Sequence, residues 1–144
     1  MEQEEIKKKI TAFLEKGEIG VISTIGTAKN APESAAVAFA FTENLELVFG
    51  TSNKSRKYKN IQVNPNVSFV VGWDFVSGTM QYEGIAKELS GEEAEKGMNL
   101  LIARNEEHKK FAQHEDQRYF MITPKWIRLL DMNSHPPQTH EVNL

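Results

Sequence analysis

LELVFGTSNKSRKYKNIQVNPNVSFVVGW, residues 45–73, holds two apolar runs with a polar, basic segment between them. Leu45 to Gly50 is rich in residues that suit a pleated, half-buried surface and reads as a strand. Thr51 to Gln62 has no such run. Four of the six residues Lys54 to Lys59 are basic and none is acidic. A short helix is predicted here, starting near Ser52–Ser55 and closing on Asn64-Pro65, because proline disfavours helical backbone at the residue before it. Asn66 to Trp73 is the next strand.

The flanks extend the same pattern. Upstream, Ser34 to Phe41 (SAAVAFAF) reads as a strand, joined to Leu45 by a short hairpin connection, Thr42-Glu43-Asn44. Ile19 to Ile25 is another strand, followed by a turn at Gly26–Ala31. Residues 2–16 are predicted helical, since Ile6, Ile10, Phe13 and Leu14 fall on one face. Gly17 is expected to end that helix in the left-handed conformation. Downstream, Thr79 to Leu89 is a strand. Ser90 and Glu93 have capping-box spacing and open a helix through about Arg104. A second short helix is expected at Lys109–Gln113. Tyr119–Ile122 and Trp126–Leu130 read as two closing strands separated by Pro124. The segment from Ser134, with two prolines and no apolar periodicity, is expected to be poorly ordered alone. Short strands at hairpin spacing with few helices imply a mainly β fold, a small antiparallel barrel with flanking helices. The domain is placed at 1–133 and a C-terminal tail at 134–144.

Composition excludes several classes of function. The 144 residues include 20 acidic and 17 basic side chains, a formal net charge of -3. So mild and mixed a charge argues against a general nucleic-acid binder. No apolar run approaches the roughly 20 residues of a membrane span. The start, MEQEEIKKKI, does not read as a secretory signal. The absence of cysteine excludes disulfides, thiolate zinc sites and cysteine nucleophiles, and agrees with a cytoplasmic protein. The four histidines lack metal-ligand spacing, so no metal is expected. No serine sits in a Gly-x-Ser-x-Gly elbow. Trp73, Trp126, Phe69 and Tyr82 read as core or dimer residues.

Two features point to a ligand. Helix-start amides, hydroxyls at Thr51 and Ser55, and the cations Arg56 and Lys57 together suit a phosphate. A solvated basic helix face would account for the same composition. Ala35, Ala36, Ala38 and Ala40 would let a flat molecule lie close to the strand backbone. A tightly packed strand crossing would also use such residues. A ring beside that strand and a phosphate near Arg56 would fit one nucleotide-sized ligand.

The order Leu47-Val48-Phe49-Gly50-Thr51, Ser55-Arg56-Lys57, Asn64-Pro65-Asn66-Val67-Ser68 and Trp73 resembles the pyridoxamine-phosphate oxidase-like family of flavin-binding split barrels. The pattern lays without a gap from about Ala35 to Ala86 and, more loosely, covers most of the chain. The resemblance implies a homodimer with FMN at the subunit interface. It places Arg56 and Lys57, with Ser55, at the phosphate, and Gly50 and Thr51 beside the phosphate and ribityl chain. Ala35, Ala36, Val37 and Ala38 would line the ring. Thr79 falls where the oxidase has a glutamine that reaches the flavin from the partner chain, and Gln81 faces the same side of that strand.

The departures from the oxidase are specific. Ala35 and Ala40 stand where it has Arg and Lys, and Leu130 stands where it has a Trp near the flavin. Its Arg-x-His substrate motif is missing, as are the Tyr and Arg that hold substrate phosphate. The resemblance therefore implies a shorter, stress-protein-like member and not pyridoxamine-phosphate oxidase activity. The expected function is an FMN-dependent oxidoreductase of unassigned substrate, using a small-molecule electron donor or acceptor. The alternatives are a non-enzymatic flavin-binding stress protein, or the same barrel holding haem or a deazaflavin.

Overall fold

The computed structural model describes residues 1–144, except for the side chain of Trp73, so the sequence reading of that residue lies outside the described set. Helix α1 (Gln3–Glu15) is followed by β1 (Ile19–Ile25), β2 (Pro32–Ala38), β3 (Ala40–Phe41) and β4 (Leu47–Ser52). Helix α2 (Arg56–Val63) leads to β5 (Asn66–Asp74) and β6 (Gly78–Glu88). Then come α3 (Gly91–Arg104), a 3-10 turn (Glu106–His108), the short α4 (Lys109–Ala112), β7 (Gln117–Asp131) and β8 (Gln138–Asn143).

All paired strands are antiparallel, in the order β2-β1-β5-β6-β7-β4-β3, with β8 also beside β7. The sheet curls into a half-barrel with helices at its flanks. Its two edges belong to one stretch of chain: β2 and β3 are separated only by Phe39, whose N–H donates to the Glu18 carbonyl at 3.2 Å. The inner face of the sheet buries Ile22, Phe49, Phe69, Tyr82 and Phe120 against Ile10 and Leu14 of α1. A smaller cluster on the other face of β4 and β7 packs Val48 and Tyr119 under Leu101 of α3. Alternation along the strand explains the split, since Leu47 and Phe49 point one way and Val48 the other.

Four local expectations change. Gly17 is not left-handed; α1 ends through Lys16 in ordinary helical geometry. Glycine is needed at 17 because a Cβ would lie 3.0 Å from Val71 Cγ1. Ser90 precedes α3 but makes no capping bond, because Gly91 at φ +58° intervenes as a left-handed step. The two expected closing strands are one strand, β7. Pro124 pairs with Gly84 and Trp126 with Glu83, so Lys125 is an extra residue at a bulge, where a missing proline N–H costs no ladder bond. The tail is not loose: β8 pairs with β7 from Trp126↔Asn143 to Asp131↔Gln138, burying His140 and Val142.

Candidate functional site

A cavity of about 420 Å³ opens where β2, β4, the start of α2 and the α3–β7 connection meet. Ala36, Val37 and Ala38 line it from β2, Gly50, Thr51 and Ser52 from β4, and Lys57 from α2. The α3–β7 connection adds His108, Phe111, Gln117 and their neighbours. Gly50 lies on the same face of β4 as Val48. Val48 is covered by α3, whereas Gly50 lies where the 3-10 turn brings His108 over the sheet.

The N-terminus of α2 is tightly organised. Ser55 caps it, its Oγ accepting from the Tyr58 N–H at 3.3 Å and sitting 3.0 Å from the Thr51 hydroxyl. Arg56 does not line the main cavity. It pairs with Glu33 at 3.3 Å, and with Ala35 it borders an adjoining pocket of about 90 Å³. Glu33 is itself held by the buried Asn60, whose amide donates to Glu33 at 2.9 Å and to the Thr24 hydroxyl at 3.0 Å. Asn60 Oδ1 accepts from the Thr27 N–H at 3.1 Å. Lys57 lines both pockets.

The charges around Lys57 are already matched. Asp116 pairs with Lys54 at 3.3 Å, Glu107 with Lys110, and Glu33 with Arg56. Among the described residues no carboxylate pairs with Lys57. Burial holds its ammonium below the usual lysine value. A half-buried cation without a counter-ion, beside hydroxyls and helix-start amides, has the chemistry to accept an anion.

His108 is 7% exposed, and its Nε2 lies 2.9 Å from the Tyr119 hydroxyl. Burial pushes the imidazole below its ordinary value, so it is neutral at neutral pH. Burial likewise raises the Tyr119 phenol, an effect opposed by a hydrogen bond from Gln117.

Of the residues named from sequence, Ala36, Val37, Ala38, Gly50, Thr51 and Lys57 therefore share one cavity. Ala35 and Arg56 border the adjoining pocket, and Ser55 supports Thr51 from behind the helix start. Thr79 and Gln81 lie elsewhere, on β6. The register Ala36↔Val21↔Val70↔Gln81 puts Gln81 three strands from Ala36, roughly 14 Å at ordinary strand spacing. His108, Phe111 and Gln117 escaped the sequence reading. They lie in the 3-10 turn, in the short α4 and at the first residue of β7, and nothing local marks them as facing β4.

The family described as pyridoxamine 5'-phosphate oxidase matches residues 6–131, a span that includes every strand of the cavity. The chain belongs to the pyridoxamine 5'-phosphate oxidase family. Within it, the chain is 26% identical over 147 residues to general stress protein 26 of Bacillus subtilis, covering 99% of this chain and 100% of that one. The crystal structure of general stress protein 26 from Bacillus anthracis superposes with a TM-score of 0.75 at 25% identity, covering 96% of this chain and 98% of that one. HutZ, a haem storage protein from Vibrio cholerae, shares the fold at a TM-score of 0.69 and 18% identity, over 81% of this chain and 88% of that one. The short, stress-protein-like membership expected from the sequence is thus shown. No helix is long and apolar enough to cross a membrane.

Proposed function

We propose that the cavity binds FMN and that the chain works as a homodimeric, flavin-dependent oxidoreductase of unassigned substrate. The observation that carries this reading is Lys57, the cavity's one cation without an ion-pair partner among the described residues. It stands beside the Thr51–Ser55 hydroxyl pair and the capped start of α2, a donor set suited to a phosphate monoester. The small side chains of Ala36 and Ala38 leave room for a flat ring against β2. About 420 Å³ lies within the roughly 300–1,000 Å³ range of small-molecule sites. The flavin would supply hydride and electron transfer through its ring, and the chain would supply position, charge and exclusion of water.

The outer face of the sheet supports the dimer. Ala36, Val70, Gln81 and Arg128 form an exposed cross-strand row, and Val70 is 40% exposed. A second chain on this face would cover the open side of the ring and bring Thr79 and Gln81 to its partner's cavity. Val70→Lys is expected to shift the protein to a monomer in size-exclusion chromatography and to weaken FMN binding.

The first test is the visible spectrum of the purified protein, followed by titration of FMN fluorescence. Saturable quenching supports the reading; none overturns it. Haem is the second reading, favoured by a neutral histidine lining the cavity and by the fold shared with HutZ. A Soret band on adding haem, together with silence toward FMN, would select it. Turnover of bound reduced flavin no faster than that of free FMN would instead indicate a flavin-binding protein without its own reaction.

A further inference from the structure

Position 50 decides what the cavity can offer a ligand. A Cβ added to Gly50 would run into the Gln117 amide and stand 3.0 Å from a Tyr119 ring carbon and 3.2 Å from His108 Cε1. Any larger residue would therefore push these three side chains aside. With glycine there, they sit over β4 and His108 reaches the cavity. His108 spends Nε2 on Tyr119, while Nδ1 makes no hydrogen bond within the chain. Among the described residues, only Arg104 Nε and His140 Nε2 are sealed from solvent without a partner. Nδ1 of His108 is therefore not sealed from solvent, on a residue that lines the cavity.

The tautomer follows from counting donors and acceptors. A phenol has one proton to give, and the only acceptor bonded to Tyr119 is His108 Nε2. The amide nitrogen of Gln117, also beside Gly50, is a donor, so it gives the Tyr119 proton no competing acceptor. Donation from the Tyr119 hydroxyl to Nε2 leaves the imidazole proton on Nδ1. A neutral imidazole in that form presents one N–H to the cavity.

We propose that His108 is a ligand-binding residue, its Nδ1–H donating to a carbonyl or phosphate oxygen of the bound flavin nucleotide. Tyr119 is the positioning residue that fixes this tautomer, and glycine at 50 is what admits the pair. The inference rests on the flavin reading of the cavity and adds a specificity-determining contact to it. The site prefers an acceptor at this wall, whereas Lys57 selects for negative charge.

The test uses the full-length protein with FMN as the probe. Long-range 1H–15N NMR of the histidines reads the His108 tautomer directly: Nδ1–H is expected in the wild type and a mixture in Tyr119→Phe. FMN affinity is expected to fall roughly tenfold in His108→Leu, the loss of one buried hydrogen bond to a ligand. It should largely recover in His108→Asn, whose amide places a donor where Nδ1 stood. The double variant His108→Leu with Tyr119→Phe leaves no orphaned hydroxyl and guards against misfolding of the single one. An Nε2–H tautomer in the wild type overturns the proposal. So does wild-type FMN affinity in the double variant, and that result leaves the flavin reading standing. A wild type that binds no FMN overturns both.

Discussion

Lys57→Ala should weaken FMN binding far more than Arg56→Ala, although the two residues are adjacent and both cationic. Lys57 is half-buried, lines the cavity and has no carboxylate partner among the described residues. Removing it deletes a charge-assisted contact to the phosphate, worth about 1.5–3 kcal/mol, or roughly 10- to 150-fold in affinity. Arg56 is 75% exposed and already engaged with Glu33 at 3.3 Å. To serve a phosphate it must leave that carboxylate, and an ion pair made from so exposed a position is itself worth only about 0.2–1 kcal/mol, so its loss should cost at most about fivefold. The assay is quenching of FMN fluorescence at constant ionic strength, with riboflavin in parallel. Riboflavin lacks the phosphate, so Lys57→Ala should leave its affinity nearly unchanged. The pH dependence has a definite sign. Burial lowers the Lys57 value in the free protein and a bound phosphate would raise it, so wild-type affinity falls as pH rises through that lowered value. The fall should vanish in Lys57→Ala. An Arg56→Ala loss larger than that of Lys57→Ala, or equal losses for FMN and riboflavin, would refute the placement of the phosphate.

Glu33→Gln frees Arg56 from its carboxylate while keeping an acceptor for Asn60, and should tighten FMN binding by roughly two- to fivefold in the same titration. The pH dependence of stability should carry a contribution from His108. Its folded value lies below the ordinary 6.5, so the unfolded chain takes up the proton first as pH falls. Stability is then fully present above about pH 6.5 and declines below it; urea midpoints at about pH 7.5 and about pH 5.5 should converge in the His108→Leu, Tyr119→Phe double variant. Tyr82→Phe removes a buried hydroxyl that is 2.8 Å from the Leu45 carbonyl and 3.0 Å from that of Ile122. Leaving those carbonyls unpaired should cost about 1–2 kcal/mol, read by urea denaturation, without affecting FMN affinity.

The strands, their antiparallel pairing and the helix at Arg56 were legible because their cues are local. Alternation of apolar residues, a serine three positions before the Tyr58 amide and a proline after Asn64 each act within one or two turns of chain. That Gly50, Thr51 and Lys57 stand together was legible for the same reason, being close in sequence and in the order the family pattern requires. The errors share a cause too. Pro124 looks like a break until a bulge at Lys125 of the same strand accommodates it, and Ser134 onward looks loose until β7 offers an edge.

What the sequence by itself determined is therefore a curled antiparallel sheet with a basic helix start and a stripe of small residues beside it. The tertiary structure alone decided which of two neighbouring cations faces the cavity, because only folding brings Glu33, held by Asn60, against Arg56. It also decided that His108 lines the cavity. Its partners, Gly50 and Tyr119, come from β4 and β7 and meet it only when the sheet curls and the 3-10 turn closes over its face. A side chain's chemistry is local, but its burial, its counter-ion and its free donor are properties of whatever distant chain packs against it.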